Sequence, residues 1–179
     1  MLRLICPAVI AAACLVAGCA TPGRVEQMSV PGVVGINITA PQALRESIAM
    51  GEVTGGEETN PLWTSQVSGP DFAKALESSL LRAGLLQPDR KAGRYVLSAK
   101  LAELDQPLAG FNMTVTASVT YTLIERPTTQ TVWEKKLTTP YTASFGDALY
   151  AVERLKLANE GAIRANISEL LIALYRLRP

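Results

Sequence analysis

The residue types that carry most protein chemistry are sparse in this chain of 179 residues. It contains no histidine and three cysteines, which are Cys6, Cys14 and Cys19. Without histidine there is no base for a Ser-His or Cys-His nucleophile, and zinc loses one of its commonest ligands. The glycines near residue 55 precede no Lys-Ser or Lys-Thr pair, so a phosphate-binding loop is excluded. The sequence therefore predicts no catalytic residue, no metal site and no cofactor.

One irregular stretch holds residue types that are able to bind a ligand. Between Gly55 and Gly69 the chain runs Glu57-Glu58-Thr59-Asn60-Pro61-Leu62-Trp63 and then stays polar. Two adjacent carboxylates and a tryptophan can hold a cation or a sugar, and long loops are often functional. The same residues are also typical of solvated charge and of an aromatic side chain that folds the loop onto the core. Asn60 and Trp63 are the candidate binding residues here.

The last predicted helix runs from about Ser144 to Leu177 and carries two polar residues on its apolar stripe. Because a buried amide without a partner costs roughly 1 to 3 kcal/mol, Asn159 and Asn166 must have hydrogen-bond partners. They form either a polar recognition pocket or bonds to backbone at sheet ends and loops. Gly161 between them indicates close approach by a neighbour or a kink. The apolar stripe itself comprises Leu149, Val152, Leu155, Ile163, Ile167, Leu170 and Leu174.

The other side of this helix carries an apolar set that falls within one sector at 100° per residue: Tyr150, Leu157, Ile172 and Tyr175. This set is either a docking stripe or the scattered apolar exposure that is normal on a monomer. The threonine face of a predicted strand, Thr114 to Thr122, is open to the same two interpretations. A further exposed cluster precedes the helix and comprises Pro140, Tyr141 and Phe145.

The N-terminus has the pattern of a secretory signal. Arg3 is its only early charge, residues 4–16 are largely apolar, and the small pair Ala17-Gly18 precedes Cys19. Thirteen helical residues reach only about 20 Å, which is short of the roughly 30 Å hydrocarbon core of a bilayer. The segment is therefore predicted to be cleaved and not to remain as a membrane span.

The run Leu15-Val16-Ala17-Gly18-Cys19 resembles a bacterial lipobox. The resemblance implies cleavage before Cys19 and diacylation of its sulfur, with an ordinary cleaved signal as the alternative. Acyl chains contribute about 0.8 kcal/mol per buried methylene and hold a protein firmly on a bilayer. In lipoproteins of enteric bacteria an aspartate after the cysteine is an inner-membrane retention signal. Because Ala20 stands at this position, the resemblance implies the outer membrane, facing the periplasm. The predicted organisation is a signal peptide at 1–18, a lipidated cysteine and flexible tether at 19–32, and one domain at 33–179.

Composition agrees with one globular domain. Apolar residues make up 48% of the chain, charged residues 18%, and the net charge is +1. So balanced a charge lacks the basic stripe that phosphate binding needs, which makes nucleic acid an improbable partner.

The mature chain is predicted to contain two short strands, a helix, three longer strands and a terminal helix, in that order. A helix with an apolar face is predicted from Pro70 to Ala83, with Gly84 as its left-handed cap. Period-two patterns predict strands at 34–38, 48–54, 95–101, 113–123 and 132–138. The fold class is α+β, a two-layer sandwich with a mostly antiparallel sheet of four to five strands and two main helices on one face. No βαβ alternation is predicted.

These elements, in this order, resemble small bacterial envelope lipoproteins, with an outline similar to LptE and to the amino-terminal domain of TolB. The runs Asn60-Pro61-Leu62-Trp63-Thr64 and Ala158-Asn159-Glu160-Gly161-Ala162-Ile163-Arg164 are similar to uncharacterised alphaproteobacterial lipoproteins. The resemblance implies a non-catalytic accessory or assembly factor that contacts another envelope protein. The alternative is a carrier or sensor that holds a lipid or glycan fragment between helices and sheet.

Overall fold

The computed structural model describes residues 20–31, 40–60 and 65–178 of the chain. Three features of the sequence interpretation therefore lie outside the described residues. They are Cys19 with its signal segment, the strand predicted at 34–38, and Trp63.

One sheet of four strands forms the centre of the fold, in the order β1-β2-β3-β4. Strand β2 is antiparallel to β3, and β3 is antiparallel to β4. This confirms the predicted α+β class with a mostly antiparallel sheet. The strands are β1 (Ile48–Gly55), β2 (Tyr95–Asp105), β3 (Met113–Glu125) and β4 (Gln130–Ala143).

The alternation along β3 decides which face of the sheet is buried. Val115, Val119 and Tyr121 are fully buried, whereas the threonines between them lie on the opposite face. Successive side chains of a strand point to opposite faces, so one side of β3 faces the core and the other faces outward. Strand β4 extends well beyond its predicted end at residue 138, because its ladder with β3 continues to Ala143 opposite Met113.

The crossover between β1 and β2 corrects the sequence interpretation. The two strands pair in parallel and are joined by helix α2 (Gly69–Arg82), so the fold does contain one βαβ unit. Two parallel neighbours need such a crossover, because a hairpin reverses the direction of the chain and can join only antiparallel strands. Ser68 caps α2 by accepting a hydrogen bond from the backbone N–H of Asp71, and Gly84 closes its end at a φ of +67°.

Helix α3 (Ala151–Arg176) packs across β3 and β4 and starts later than the sequence predicts. Ser144 and Asp147 do form a capping box, but it closes a 3₁₀ turn at Phe145–Asp147 and not the long helix. Leu149 consequently lies before α3 and is 79% exposed, so its assignment to the core stripe is wrong. The stripe residues from Leu155 to Leu174 are buried as predicted.

The segment after Cys19 is also corrected. Residues 20–31 are predicted as a flexible tether, yet they include the short helix α1 (Val25–Met28) and pack onto α2 and α3. Met28 is fully buried, and Val30 joins the same hydrophobic core. The apolar residues of this segment are few, but each has a partner in the domain. Among the described helices, none is both long and apolar enough to cross a membrane.

Candidate functional site

An ion pair fixes the N-terminal segment to α3. The guanidinium of Arg24 donates from Nε and Nη2 to the two carboxylate oxygens of Glu160, at 3.0 and 3.1 Å. The backbone N–H of Arg24 also donates to Glu160, at 2.8 Å. The Glu160 side chain is only 2% exposed, and its hydrogen bonds raise the pKa of Arg24. Glu160 is therefore a buried attachment point for the segment that begins at Ala20.

A second set of hydrogen bonds holds the first residues of this segment. Ser65 donates from its hydroxyl to the carbonyl of Thr21 at 2.8 Å. The Ser65 carbonyl accepts from Asn159 at 2.8 Å and from Gln106 at 3.1 Å, and Gln106 also donates to the Asn159 side chain. Ala20, which precedes Thr21, is buried. The described chain thus begins at the end of the sheet where β2 stops and the loop to β3 begins.

Replacing Arg24 by alanine is expected to loosen the segment. Glu160 keeps its bond to the backbone of residue 24 but loses the cation that faces it. A buried charge deprived of its partner costs about 3–5 kcal/mol, and because Arg24 is half exposed we expect about 1–3 kcal/mol. Hydrogen exchange of residues 20–31 should accelerate, and the urea midpoint should fall. Lys74→Ala, which breaks the exposed pair with Asp71, is the control and should change neither. Unchanged exchange in Arg24→Ala would contradict the attachment.

Two loops at this end of the sheet expose large apolar side chains. The loop between β2 and β3 presents Leu108, which is fully exposed, and Phe111, which is 81% exposed. The segment between β4 and α3 presents Phe145, Leu149 and Tyr150, all of them exposed. We call these five residues the apolar tip. The rings of Phe111 and Phe145 meet edge to face with their centroids 6.1 Å apart, so the two loops are in contact.

Arg154 lies beneath the apolar tip and ties its loops together. It is 4% exposed, and its Nη1 donates to the carbonyls of Ala148 and Leu149 at 2.8 Å each. Its Nη2 reaches the carbonyl of Gly110 at 3.4 Å, and its guanidinium lies 5.1 Å from the centroid of the Phe145 ring. Within the described ranges, its Nε is the one buried side-chain polar atom without a hydrogen bond. Sequence reasoning missed Arg154, because nothing distinguishes it from the other arginines of α3.

The docking stripe predicted on α3 is not one exposed surface. Tyr175 is buried, and its hydroxyl donates to the carbonyl of Ala83 at 2.8 Å, so it joins α3 to the end of α2. Leu157 is half-buried against the core, and Ile172 is half-buried in a cleft of about 300 Å³. Tyr150 alone is well exposed, and it precedes the first turn of α3. The stripe interpretation is therefore corrected, and only Tyr150 of the four belongs to the apolar tip.

Asn166 and Asn159 have structural partners. Asn166 donates from its amide to the carbonyls of Ala117 and Leu137, at 3.1 and 3.0 Å, and to the Thr139 hydroxyl. Its oxygen accepts from the Tyr121 hydroxyl at 2.9 Å. Burial raises the pKa of Tyr121, which keeps this hydroxyl protonated as a donor. Of the two alternatives for the buried amides, bonding to sheet and loop backbone is the one observed.

The polar loop after β1 is held by hydrogen bonds between its own residues. Thr59 exchanges hydrogen bonds with both backbone groups of Gln66, and the N–H of Glu57 donates to the carbonyl of Val67. Asn60 is exposed in this loop. A cleft of about 260 Å³ at its base is lined by Glu57 and by the end of β2. In the described part of the chain, no three or more side chains of His, Cys, Asp or Glu are grouped so that they could hold a metal ion.

The threonine face of the sheet is paired across strands. The hydroxyls of Thr114 and Thr142 lie 2.8 Å apart, and Thr122 donates to Glu134 at 3.0 Å. Cross-strand pairs of this kind stabilise a sheet without any partner. These pairs favour the interpretation in which the threonines stabilise the sheet itself.

Comparison with known proteins gives a likeness of fold. No protein-family profile and no curated protein matches the chain. A candidate lipoprotein from Caulobacter crescentus is 14% identical, with a TM-score of 0.51 over 74% of this chain and 91% of its own. The PelC chain of a dodecamer from Paraburkholderia phytofirmans is 18% identical, with a TM-score of 0.50 over 78% of this chain and 95% of its own. The chain has their fold.

A third solved structure, a DUF330 protein from Xanthomonas campestris, is 13% identical and has a TM-score of 0.49 over 84% of this chain and 77% of its own. The predicted likeness to bacterial lipoproteins is confirmed at the level of fold by the Caulobacter protein, with its TM-score of 0.51. The finer likenesses to LptE and to TolB stay predictions.

Proposed function

We propose that the protein is a lipid-anchored lipoprotein of the bacterial envelope that works by contact and not by catalysis. The observation that carries the proposal is the fixed position of residues 20–31. Because Arg24 and Thr21 are bonded to the domain, a lipid on Cys19 would hold the domain directly at the membrane surface. The lipobox and the shared fold of the Caulobacter protein support the same assignment. With Ala20 after the cysteine, the proposed location is the outer membrane, facing the periplasm.

The proposal of an accessory or assembly role rests on the hydrogen bonds made by the buried polar residues near the N-terminal segment and the apolar tip. Glu160, Asn159 and Arg154 are buried, and each bonds other parts of the same chain. Such groups hold the N-terminal segment and the loops in place. We therefore assign them to positioning and propose that the protein acts by presenting surfaces to another envelope protein.

The carrier alternative has less support. The space between α3 and the sheet is filled by Tyr121, Ile163 and Asn166, all fully buried. A lipid or glycan fragment held there would have to displace the hydrogen bond between Tyr121 and Asn166. Displacing a satisfied buried polar pair is costly, which favours the contact role.

Lipidation is tested in cells of an alphaproteobacterial host. The wild-type chain should incorporate labelled palmitate, and mass spectrometry should find an N-terminal diacylated Cys19. Cys19→Ala should lose the label and keep residues 1–18, whereas the control Cys14→Ala should retain the label because that cysteine is removed with the signal. A wild-type protein with a bare N-terminus after a different cleavage site would overturn the proposal.

The contact role is tested by crosslinking in the same cells. The membrane-held wild type should repeatedly capture one envelope protein, and Cys19→Ala should not. PelC forms a dodecamer, so a second copy of this chain is among the partners that mass spectrometry must distinguish. Turnover of an envelope substrate by the purified lipidated protein would overturn the non-catalytic assignment.

A further inference from the structure

We propose that the apolar tip enters the membrane interface beside the lipid on Cys19, so that this end of the sheet faces the bilayer. The inference rests on the proposed function, because it takes Cys19 to be lipidated. It adds an orientation and a second membrane contact, made by the protein itself. The partner that the apolar tip contacts in this proposal is a lipid surface.

The first step is the concentration of exposed apolar groups. Seven large hydrophobic residues are exposed in the described part of the chain, and five of them form the apolar tip. The two others are Leu81 on α2 and Tyr141 on β4. Clustered apolar exposure, unlike single exposed residues, marks a surface that contacts protein or membrane.

The second step is the place at which the chain enters the domain. Thr21 is bonded to Ser65, and Ser65 is bonded to Gln106, at 2.8 and 3.1 Å. Gln106 precedes Leu108 by two residues in the same loop. Cys19 immediately precedes the buried Ala20 in the sequence. The acyl chains would therefore enter the bilayer beside the apolar tip.

The third step is the chemistry of the two loops. Residues 106–112 carry no charge, and residues 144–150 carry one, the carboxylate of Asp147, which accepts from the backbone N–H of Ser144. Tyrosine is enriched at the level of the lipid headgroups, and phenylalanine and leucine are typical of the apolar faces of segments that lie in this interface. Three loop carbonyls, those of Gly110, Ala148 and Leu149, are bonded by Arg154 from the protein side. Their desolvation cost on entering the interface is thereby reduced.

These steps favour lipid over a protein partner. A protein partner would require the apolar tip to stay clear of the membrane, although the anchor leaves the domain at the same end. A lipid surface needs no further component, and contact with it follows from the anchor alone. The test must therefore be made on the lipidated protein in vesicles that contain no other protein.

The experiment uses the full lipidated chain in vesicles of phosphatidylethanolamine and phosphatidylglycerol. Because Cys6 and Cys14 are removed with the signal and Cys19 is acylated, a new cysteine is the sole free thiol of the mature protein. Leu108→Cys and Leu149→Cys are labelled with an environment-sensitive fluorophore, one variant for each loop. Leu81→Cys, an exposed apolar position near the end of α2, is the matched control.

Labels at 108 and 149 are expected to show a blue-shifted emission and to lose most of their intensity to lipids that carry a nitroxide near the headgroup. The label at 81 should keep the emission it has in water. If the protein floats with the vesicles while labels at 108 and 149 remain solvated, the orientation is wrong although the anchor is right. If the protein does not float at all, the proposed function itself has failed.

Discussion

Replacing Asn166 by aspartate is expected to lower the free energy of unfolding by about 3–5 kcal/mol at neutral pH. The Asn166 amide group donates to two carbonyls and one hydroxyl, all close to 3.0 Å. Aspartate would place a carboxylate oxygen against the carbonyls of Ala117 and Leu137 in a fully buried site. An uncompensated buried charge costs about 3–5 kcal/mol, and small domains have only about 5–15 kcal/mol of total stability.

The pH dependence of this variant has a definite sign. Burial and the two carbonyls would raise the pKa of the new carboxyl in the folded state, because they penalise its charged form. A raised pKa makes the folded state bind the proton more tightly than the unfolded state, so stability is lost as pH rises. The deficit relative to the wild type should therefore shrink in mildly acid solution, where the neutral acid can donate one hydrogen bond.

Urea unfolding followed by circular dichroism measures both effects. Asn112→Asp is the matched control, since Asn112 is exposed and its oxygen accepts from the N–H of Phe145, which a carboxylate can also do. The control should lie within about 0.5 kcal/mol of the wild type, as surface substitutions usually do. An Asn166→Asp protein as stable as this control would contradict the role assigned to the buried amide.

The parts of the fold that sequence predicts well are those in which local pattern and tertiary burial agree. Strand β3 alternates without a fault from Met113 to Leu123, and its buried face is the predicted one. Helix α2 carries local start and stop signals, with a cap residue before Pro70 and a left-handed glycine at Gly84. Such elements need no knowledge of distant partners to be located.

The N-terminal segment shows what local pattern cannot supply. Residues 20–31 contain two prolines, one glycine and few apolar residues, a composition typical of a linker. Their burial depends on Glu160, which is 136 residues away from Arg24 along the chain. Only the folded structure reveals that this carboxylate lies buried opposite the arginine.

The sequence does not predict the parallel pairing of β1 with β2, for a related reason. Only the first three residues of β1 are buried, so the strand is too weakly patterned to indicate a crossover. Residues 41–47 and the loop after β1 gave no cue to its neighbour. The pairing is visible only in the structure, where Ile48 of β1 lies opposite Tyr95 of β2.

The sequence predicts part of the apolar tip. It places Phe145 in an exposed cluster before the last helix, with Pro140 and Tyr141, and it places Tyr150 on the predicted docking stripe. It does not indicate Leu108 or Phe111, because the loop around them is short and rich in turn residues. Contact between the two loops depends on Arg154 and on the adjacent ends of β3 and β4.

Gly161 provides the second large expected effect. It lies in the middle of α3, where glycine costs about 1 kcal/mol relative to alanine, so an alanine there should stabilise an isolated helix. In the folded protein, however, an added Cβ would overlap three atoms of the Tyr141 ring, including Cγ. Because Cγ is at the base of the side chain, the ring cannot avoid the methyl group by moving its far end alone.

Gly161→Ala is therefore expected to destabilise the wild type by about 1–3 kcal/mol, the usual cost of overpacking. The sequence left open whether Gly161 marks close approach or a kink, and the contact with Tyr141 identifies close approach. The control is Gly146→Ala, where an added Cβ meets nothing within 4 Å and little change is expected.

A double-mutant cycle isolates this contact from helix propensity. Tyr141→Ala removes the ring, which is 37% exposed and lies beside Arg164, so this single change should cost less than removal of a fully buried aromatic. In that background Gly161→Ala no longer meets the ring and should stabilise the protein by up to about 1 kcal/mol. The same substitution thus changes sign between the two backgrounds, as measured by urea unfolding. An equal effect in both would mean that α3 and β4 adjust freely and that Tyr141 does not set their separation.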